Sequence, residues 1–238
     1  MRSLALSLLL PLLALPMAAT AQDASVRFVP VGREVRAPLG YTEMCADDPA
    51  LCRRFRAQPG GGDGPRPRID GAPAHLAALL GQPTAAVALP PLANGTEADA
   101  PDTGPPDEAA LLRLVHTINA HVNRHVFQQT DQQIYGRPEV WRPAGAQPGA
   151  TGDCEDIALE KRLELLAAHV PAERLFMAVV YSHTAGLHAV LVARLADGDV
   201  VLDSRVNVIL PWASSGYDWL SVESPQDPDR WFAVKPTG

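Results

Sequence analysis

Apolar residues recur at helical spacing in one part of this chain and at strand-like spacing in another. Leu111, Leu114, Val115, Ile118 and Val122 fall three and four apart after Pro105-Pro106, which predicts an amphipathic helix opening near Asp107. A second helix is predicted with Asp153 as N-cap, Asp156 as the reciprocal acid three residues on, and Ile157 to Val170 as its body. Beyond Pro171 the pattern changes. Arg174 to Ser182 is a β-branched and aromatic run and Leu187 to Leu195 a second one. Val200-Val201-Leu202-Asp203 then returns after a turn at Asp197-Gly198, so these segments predict antiparallel strands. Gln128 to Gly149, containing Trp141, is poorly patterned and reads as a long connection. The expected class is α+β, a helix packed on an antiparallel sheet.

The first residues follow a different logic. Arg2, the apolar run Leu4 to Leu15, and Ala19-Thr20-Ala21 before Gln22 form a signal peptide over residues 1–21. The run is shorter than the roughly 20 residues a membrane span needs, so no membrane insertion of the mature chain is expected. The chain of 238 residues carries a net charge of -7, and losing Arg2 makes it -8. Such an acidic protein is a poor partner for nucleic acid or an anionic membrane. These features predict a protein that works after export, in the periplasm.

Composition sets residues 22–106 apart from the domain expected over residues 107–238. Between Ala57 and Pro106 lie ten prolines and eight glycines, which reads as an extended arm. Within it His75 to Leu80 suggests a turn or two of helix and Ala85 to Leu89 a short strand, while Asn94-Gly95-Thr96 matches a glycosylation acceptor. Upstream, Cys45 and Cys52 sit in a short polar loop and read as a disulfide, because a metal site would need more ligands than the pair supplies.

That pairing leaves Cys154 free, in Thr151-Gly152-Asp153-Cys154-Glu155-Asp156 at a predicted helix start. Backbone N–H groups and the helix dipole stabilise a thiolate there. Asp153, Glu155 and Asp156 oppose it, since like charge raises a thiol pKa. Either the carboxylates splay away from the sulfur, or a hard cation with oxygen ligands, calcium above all, neutralises them; the plainer alternative is that they simply cap the helix. His188 and Asp203, on adjacent predicted strands, are the candidate base and orienting acid, a papain-like arrangement. A turn centred on Asp197-Gly198 would leave them about 13 Å apart along the strand, a gap that a bulge or wider loop must close. His183, among turn residues, is the rival base and reads as a loop histidine. His116, His121 and His125 read as surface or second-layer residues of the first helix, since no acidic residue sits beside them as a metalloprotease helix motif requires.

Taken in order, Gly152-Asp153-Cys154-Glu155-Asp156, His188-Ala189-Val190-Leu191 and Val201-Leu202-Asp203 resemble the bacterial transglutaminase-like cysteine proteinases, the group that contains the LapG-type periplasmic proteases. Val122-Asn123, Trp141, Trp212, Tyr217, Asp218 and Trp219 support the likeness, which covers most of residues 107–232. The resemblance implies a papain-like, transglutaminase-like fold with Cys154 as nucleophile, His188 as general base and then acid, and Asp203 orienting the imidazole. It also implies calcium at Asp153 and Glu155, with Asp156 adjacent. Ser204 departs from the asparagine that the family tends to place after the aspartate. The expected function is calcium-dependent thiol proteolysis of a protein substrate. The resemblance adds a large surface adhesin of biofilms as a candidate substrate and an inner-membrane cyclic di-GMP receptor as a candidate regulator. Two rival functions remain: acyl transfer to an amine with the same triad, and a binding module that keeps the fold without turnover.

Overall fold

The computed structural model describes residues 27–56, 107–145 and 147–236. The signal peptide and the Pro/Gly-rich arm, with the expected helical turns at 75–80, the strand at 85–89 and the Asn94 triplet, lie outside the described residues.

The chain enters as strand β1 (Val31–Val35) and two short helices, α1 (Leu39–Asp47) and α2 (Pro49–Arg54). The expected polar loop around the cysteines is therefore helical. Asp48 accepts hydrogen bonds from the N–H groups of Ala50 and Leu51, and Pro49 suits the first helical position. The Cys45–Cys52 disulfide joins the two helices with Cα atoms 5.4 Å apart. Helix α3 (Glu108–His125) starts as its spacing predicts, capped by Asp107, whose carboxylate accepts from Ala109 and Ala110 N–H. Strand β2 (Val126–Gln128) and helix α4 (Asp131–Ile134) follow, then β3 (Ala150–Gly152), which pairs in parallel with β2. The connection expected over 128–149 thus contains a helix, signalled by a capping box between Thr130 and Gln133.

Helix α5 (Cys154–Ala167) lies behind the larger sheet, formed by β4 (Leu175–Ser182), β5 (Gly186–Leu195), β6 (Gly198–Leu202), β7 (Leu210–Pro211), β8 (Asp218–Glu223) and β9 (Trp231–Val234) together with β1. All seven strands pair antiparallel, in the order β1-β9-β8-β4-β5-β6-β7. Helix α5 ends three residues before the expected Val170, in a Schellman motif. Val170 N–H bonds to Leu165 O, His169 N–H bonds to Leu166 O, and His169 takes the left-handed φ of 62°.

One face of β4 and β5 carries Met177, Ala189 and Leu191 into a core shared with α5, α3, Tyr41, Phe55 and Trp141. The other face carries Phe176, Val190 and Val192, joined by Val201 of β6, into a smaller core under Trp212. The first core is sealed by a buried ion pair. Arg162 of α5 donates to both oxygens of Glu223 at 3.0 and 2.7 Å, and Glu223 also accepts from Tyr41 Oη and Met177 N–H. Residues 27–56 are thereby tied into the same body: β1 extends the sheet, Tyr41 reaches Glu223, and the Phe55 ring lies 4.1 Å from the Arg162 guanidinium carbon.

Candidate active site

The β5–β6 hairpin sets the relation of His188 to Asp203. Leu195 pairs with Gly198, so the loop is the two residues Ala196 and Asp197 rather than one centred on Asp197-Gly198. Leu191 therefore pairs with Leu202. One step further puts Asp203 beside Val190, two residues from His188 on the same face, roughly 7 Å along the strand. The 13 Å gap expected from sequence closes by a register shift of two, without a bulge. His188 Nε2 lies 2.8 Å from Asp203 Oδ1, with both side chains buried. Asp203 is ionised, so Nε2 carries the proton and Nδ1 is left as the acceptor.

Three donors converge on Asp203: His188, the Tyr217 hydroxyl and Arg205 N–H. Burial pushes the carboxyl upward, but these hydrogen bonds outweigh it and hold it at about 2. The loop that bears Asp203 is fixed from behind. Asn123 of α3 donates to Asp203 O, Asn119 donates to Val206 O and Asn207 O, and Gln128 of β2 donates to Ser204 O. Ser204 Oγ is buried with no hydrogen-bond partner, so this side chain does not fasten the loop.

Because Asp203 sits below its unfolded value of about 3.9, its contribution to stability is complete above that pH and is lost as pH falls through about 2. Tyr217→Phe removes one donor. The acid-induced loss is expected to be smaller and to be complete at a higher pH, with stability near neutrality lower by about 1 kcal/mol. Urea unfolding at a series of acidic pH values measures this, and an unchanged pH dependence would contradict the role given to the phenol.

Cys154 is the first residue of α5 and the described chain's free cysteine. The N–H of Ala189, next to His188, points at Sγ from 3.4 Å, so the histidine strand lies against the thiol. Gly152 makes the approach of β3 to the helix possible: a Cβ there would meet Asp156 Cβ at 2.7 Å and Ala144 Cβ at 3.0 Å. The rival base His183 is exposed in the β4–β5 turn, 3.1 Å from Asp218. His121 is buried near Glu164, and His116 is exposed.

The acids beside the thiol arrange themselves differently from the sequence expectation. Asp153 makes no side-chain cap hydrogen bond. Instead, oxygens of Asp131, Asp153 and Glu155 lie within 4.8 Å of one another, and Asp131 Oδ1 and Asp153 Oδ1 are buried without partners. Asp156 stands outside this group, its Oδ1 accepting from Arg142 N–H at 2.7 Å. Asp131, 22 residues before Asp153, was missed because its stretch lacks periodicity; the Thr130–Gln133 capping box was its available signal.

Burial first, then repulsion from Glu155, pushes Asp153 to about 8. Burial likewise raises Asp156 to about 8, and it raises Glu155 and Asp131. The Cys154 thiol is driven up by burial, by the charge of Glu155 and by its hydrogen bond to Glu155 Oε2 at 2.9 Å; Ala189 N–H works the other way. This is a donor set of hard oxygens, two of them unpartnered, and it suits a divalent cation such as calcium.

The family of bacterial transglutaminase-like cysteine proteinases has a model that matches residues 96–238. Among solved structures, calcium-bound LapG of Legionella pneumophila is similar at 23% identity and a TM-score of 0.43, over 54% of this chain and 71% of that one. A second LapG structure from that organism gives 24% and 0.39, over 47% and 63%. The EGTA-treated form gives 22% and 0.41, over 54% and 69%. No curated protein matches the chain.

Proposed function

This chain belongs to the bacterial transglutaminase-like cysteine proteinases and is a cysteine protease, and on that premise we propose that Cys154, His188 and Asp203 form its catalytic triad. The observation that carries this is the buried His188–Asp203 hydrogen bond on a strand whose next N–H contacts Cys154 Sγ. His188 Nδ1 takes the thiol proton as Sγ attacks the scissile carbonyl, and Asp203 stabilises the imidazolium. The first N–H groups of α5 have no intrahelical partner and are suited to receive the developing oxyanion. His188 then protonates the leaving amine, and water, activated by the same nitrogen, hydrolyses the thioester.

Asp131, Asp153 and Glu155 would hold calcium, with Asp156 as a buried neighbour, and their unpartnered oxygens support the fit. Once bound there, calcium supplies positive charge next to the thiol and offsets the carboxylates that oppose thiolate formation.

The leader over residues 1–21 supports work in the periplasm, and among the described residues no helix is long and apolar enough to cross a membrane. A protease implies a protein substrate. We propose a large surface adhesin as that substrate, under an inner-membrane cyclic di-GMP receptor, on the family resemblance. The test is to incubate wild type and Cys154→Ala with periplasmic and surface proteins of the source bacterium, with and without calcium, and to sequence new N-termini. Cleavage is expected from wild type with calcium alone. Cleavage by Cys154→Ala would remove the nucleophile, and amine adducts without new N-termini would favour acyl transfer.

A further inference from the structure

The hydrogen bond between His188 and Asp203 lies beyond the backbone ladder that joins their strands. The β5–β6 pairing closes with Leu191 against Leu202, so His188 stands three residues past the last pair on β5 and Asp203 one past it on β6. Side chains must hold this end of the two strands together. Asn123, Asn119 and Gln128 fasten the Asp203 loop to α3 and β2, and none of these contacts reaches β5.

Arg205, two residues after Asp203, does cross β5. Its N–H donates to Asp203 Oδ1 at 2.9 Å, and its Nη1 donates to Ser182 Oγ at 3.1 Å. Ser182 is the last residue of β4, which flanks β5 on the side opposite to β6. Neighbouring strands lie about 4.8 Å apart, so β4 and β6 are separated by about 10 Å, a span that calls for a long side chain. The crossing falls at His188. Ser182 pairs with Gly186 while Asp203 lies beside Val190, and His188 is midway between them, on the face of Ser182 because its own partner is Val180. Ser182 is buried, and its hydroxyl also lies 3.1 Å from Thr184 Oγ1 in the β4–β5 turn, so the arginine ends on a fixed acceptor.

We propose that Arg205 is a positioning residue of the active site, its side chain strapping the Asp203 loop to the end of β4 across the strand that carries His188. The proposal rests on the triad reading above. With the strap in place, the end of β5 and the Asp203 loop move as one body, and His188 Nε2–H stays on Asp203 Oδ1. Hydrogen bonds weaken steeply as they bend, so a small relative motion of strand and loop is enough to release the imidazole. A released imidazole loses the fixed tautomer and orientation that a general base needs. Arginine suits the task because its guanidinium keeps its charge, and so its donor strength, at every working pH.

The experiment uses full-length protein in calcium-containing buffer at pH 7 and compares wild type, Arg205→Met, Arg205→Lys, Ser182→Ala and the double variant Arg205→Met/Ser182→Ala. NMR reads the solvent exchange of the His188 Nε2–H proton and of the β4 and β5 amides, and calorimetry reads the thermal midpoint. In wild type the imidazole proton is expected to be protected. Loss of a hydrogen bond from a charged donor should speed its exchange about tenfold in Arg205→Met, with strand amides unchanged and the midpoint within about 2 °C of wild type. Arg205→Lys keeps a cationic donor at a contact that is not bidentate, and should stay within about threefold of wild type. The double variant should fall well short of the product of the two single effects, because both changes cut one contact. A wild-type exchange rate in Arg205→Met overturns the proposal, as do single effects that multiply in the double variant. Strand amides that exchange faster by the same factor, with a lower midpoint, also overturn it, because Arg205 then only stabilises the sheet. An imidazole proton that is unprotected in wild type removes the His188–Asp203 pairing itself, and the triad reading falls together with the proposal.

Discussion

Arg162→Ala is expected to destabilise the protein by about 3 to 5 kcal/mol, because it strips the Glu223 carboxylate of its counter-ion where neither side chain reaches water. Glu223 would keep Tyr41 Oη and Met177 N–H as donors but hold an uncompensated charge among Phe55, Leu175 and Trp231. Against a usual total of about 5 to 15 kcal/mol, that leaves the fold marginal. Urea unfolding measures it. The double variant Arg162→Met/Glu223→Gln removes both charges and retains an acceptor for Met177, so most of the loss should be recovered. A single variant that loses less than about 1 kcal/mol would show that the pair does not anchor the core.

Chelation should have the second largest effect. An ion bound by the native state alone stabilises by about 2.7 kcal/mol when present at 100 times its dissociation constant. EGTA should therefore lower the melting temperature by roughly 5 to 10 °C. The cluster geometry sharpens this. Asp131→Asn should remove the calcium response, because Asp131 shares the group with Asp153 and Glu155. Asp156→Asn should keep it, because an amide oxygen can still accept from Arg142 N–H. Differential scanning calorimetry with and without EGTA tests both. A calcium response lost in Asp156→Asn and kept in Asp131→Asn would return the site to the three acids flanking the cysteine, and no response in wild type would remove the ion.

The parts of the site that were legible in the sequence are those fixed by short-range periodicity. Leu111, Leu114, Val115, Ile118 and Val122 all lie inside, as their spacing requires. The alternation of β5 put His188 on a face with Val190 and Val192, and the cysteine count left Cys154 free. The register of the hairpin was not legible, because a loop at Ala196-Asp197 lies only one position before Asp197-Gly198 in the same turn-forming stretch, yet it shifts the pairing by two residues and moves Asp203 by about 7 Å. Helix α5 was legible as a helix but not as an interior one. Its charged residues Glu160, Lys161, Arg162 and Glu164 are all buried.

The sequence by itself determined that a free thiol starts a helix, that acids flank it, and that a histidine and an aspartate follow on antiparallel strands. These are properties of neighbours along the chain, where backbone geometry alone settles which residues share a face. Only the tertiary structure decided that Asp131 joins the acids and that Glu223 neutralises Arg162. The physical reason is that the energy of a buried charge depends on partners brought in from 22 to 61 positions away or more, and nothing local encodes them.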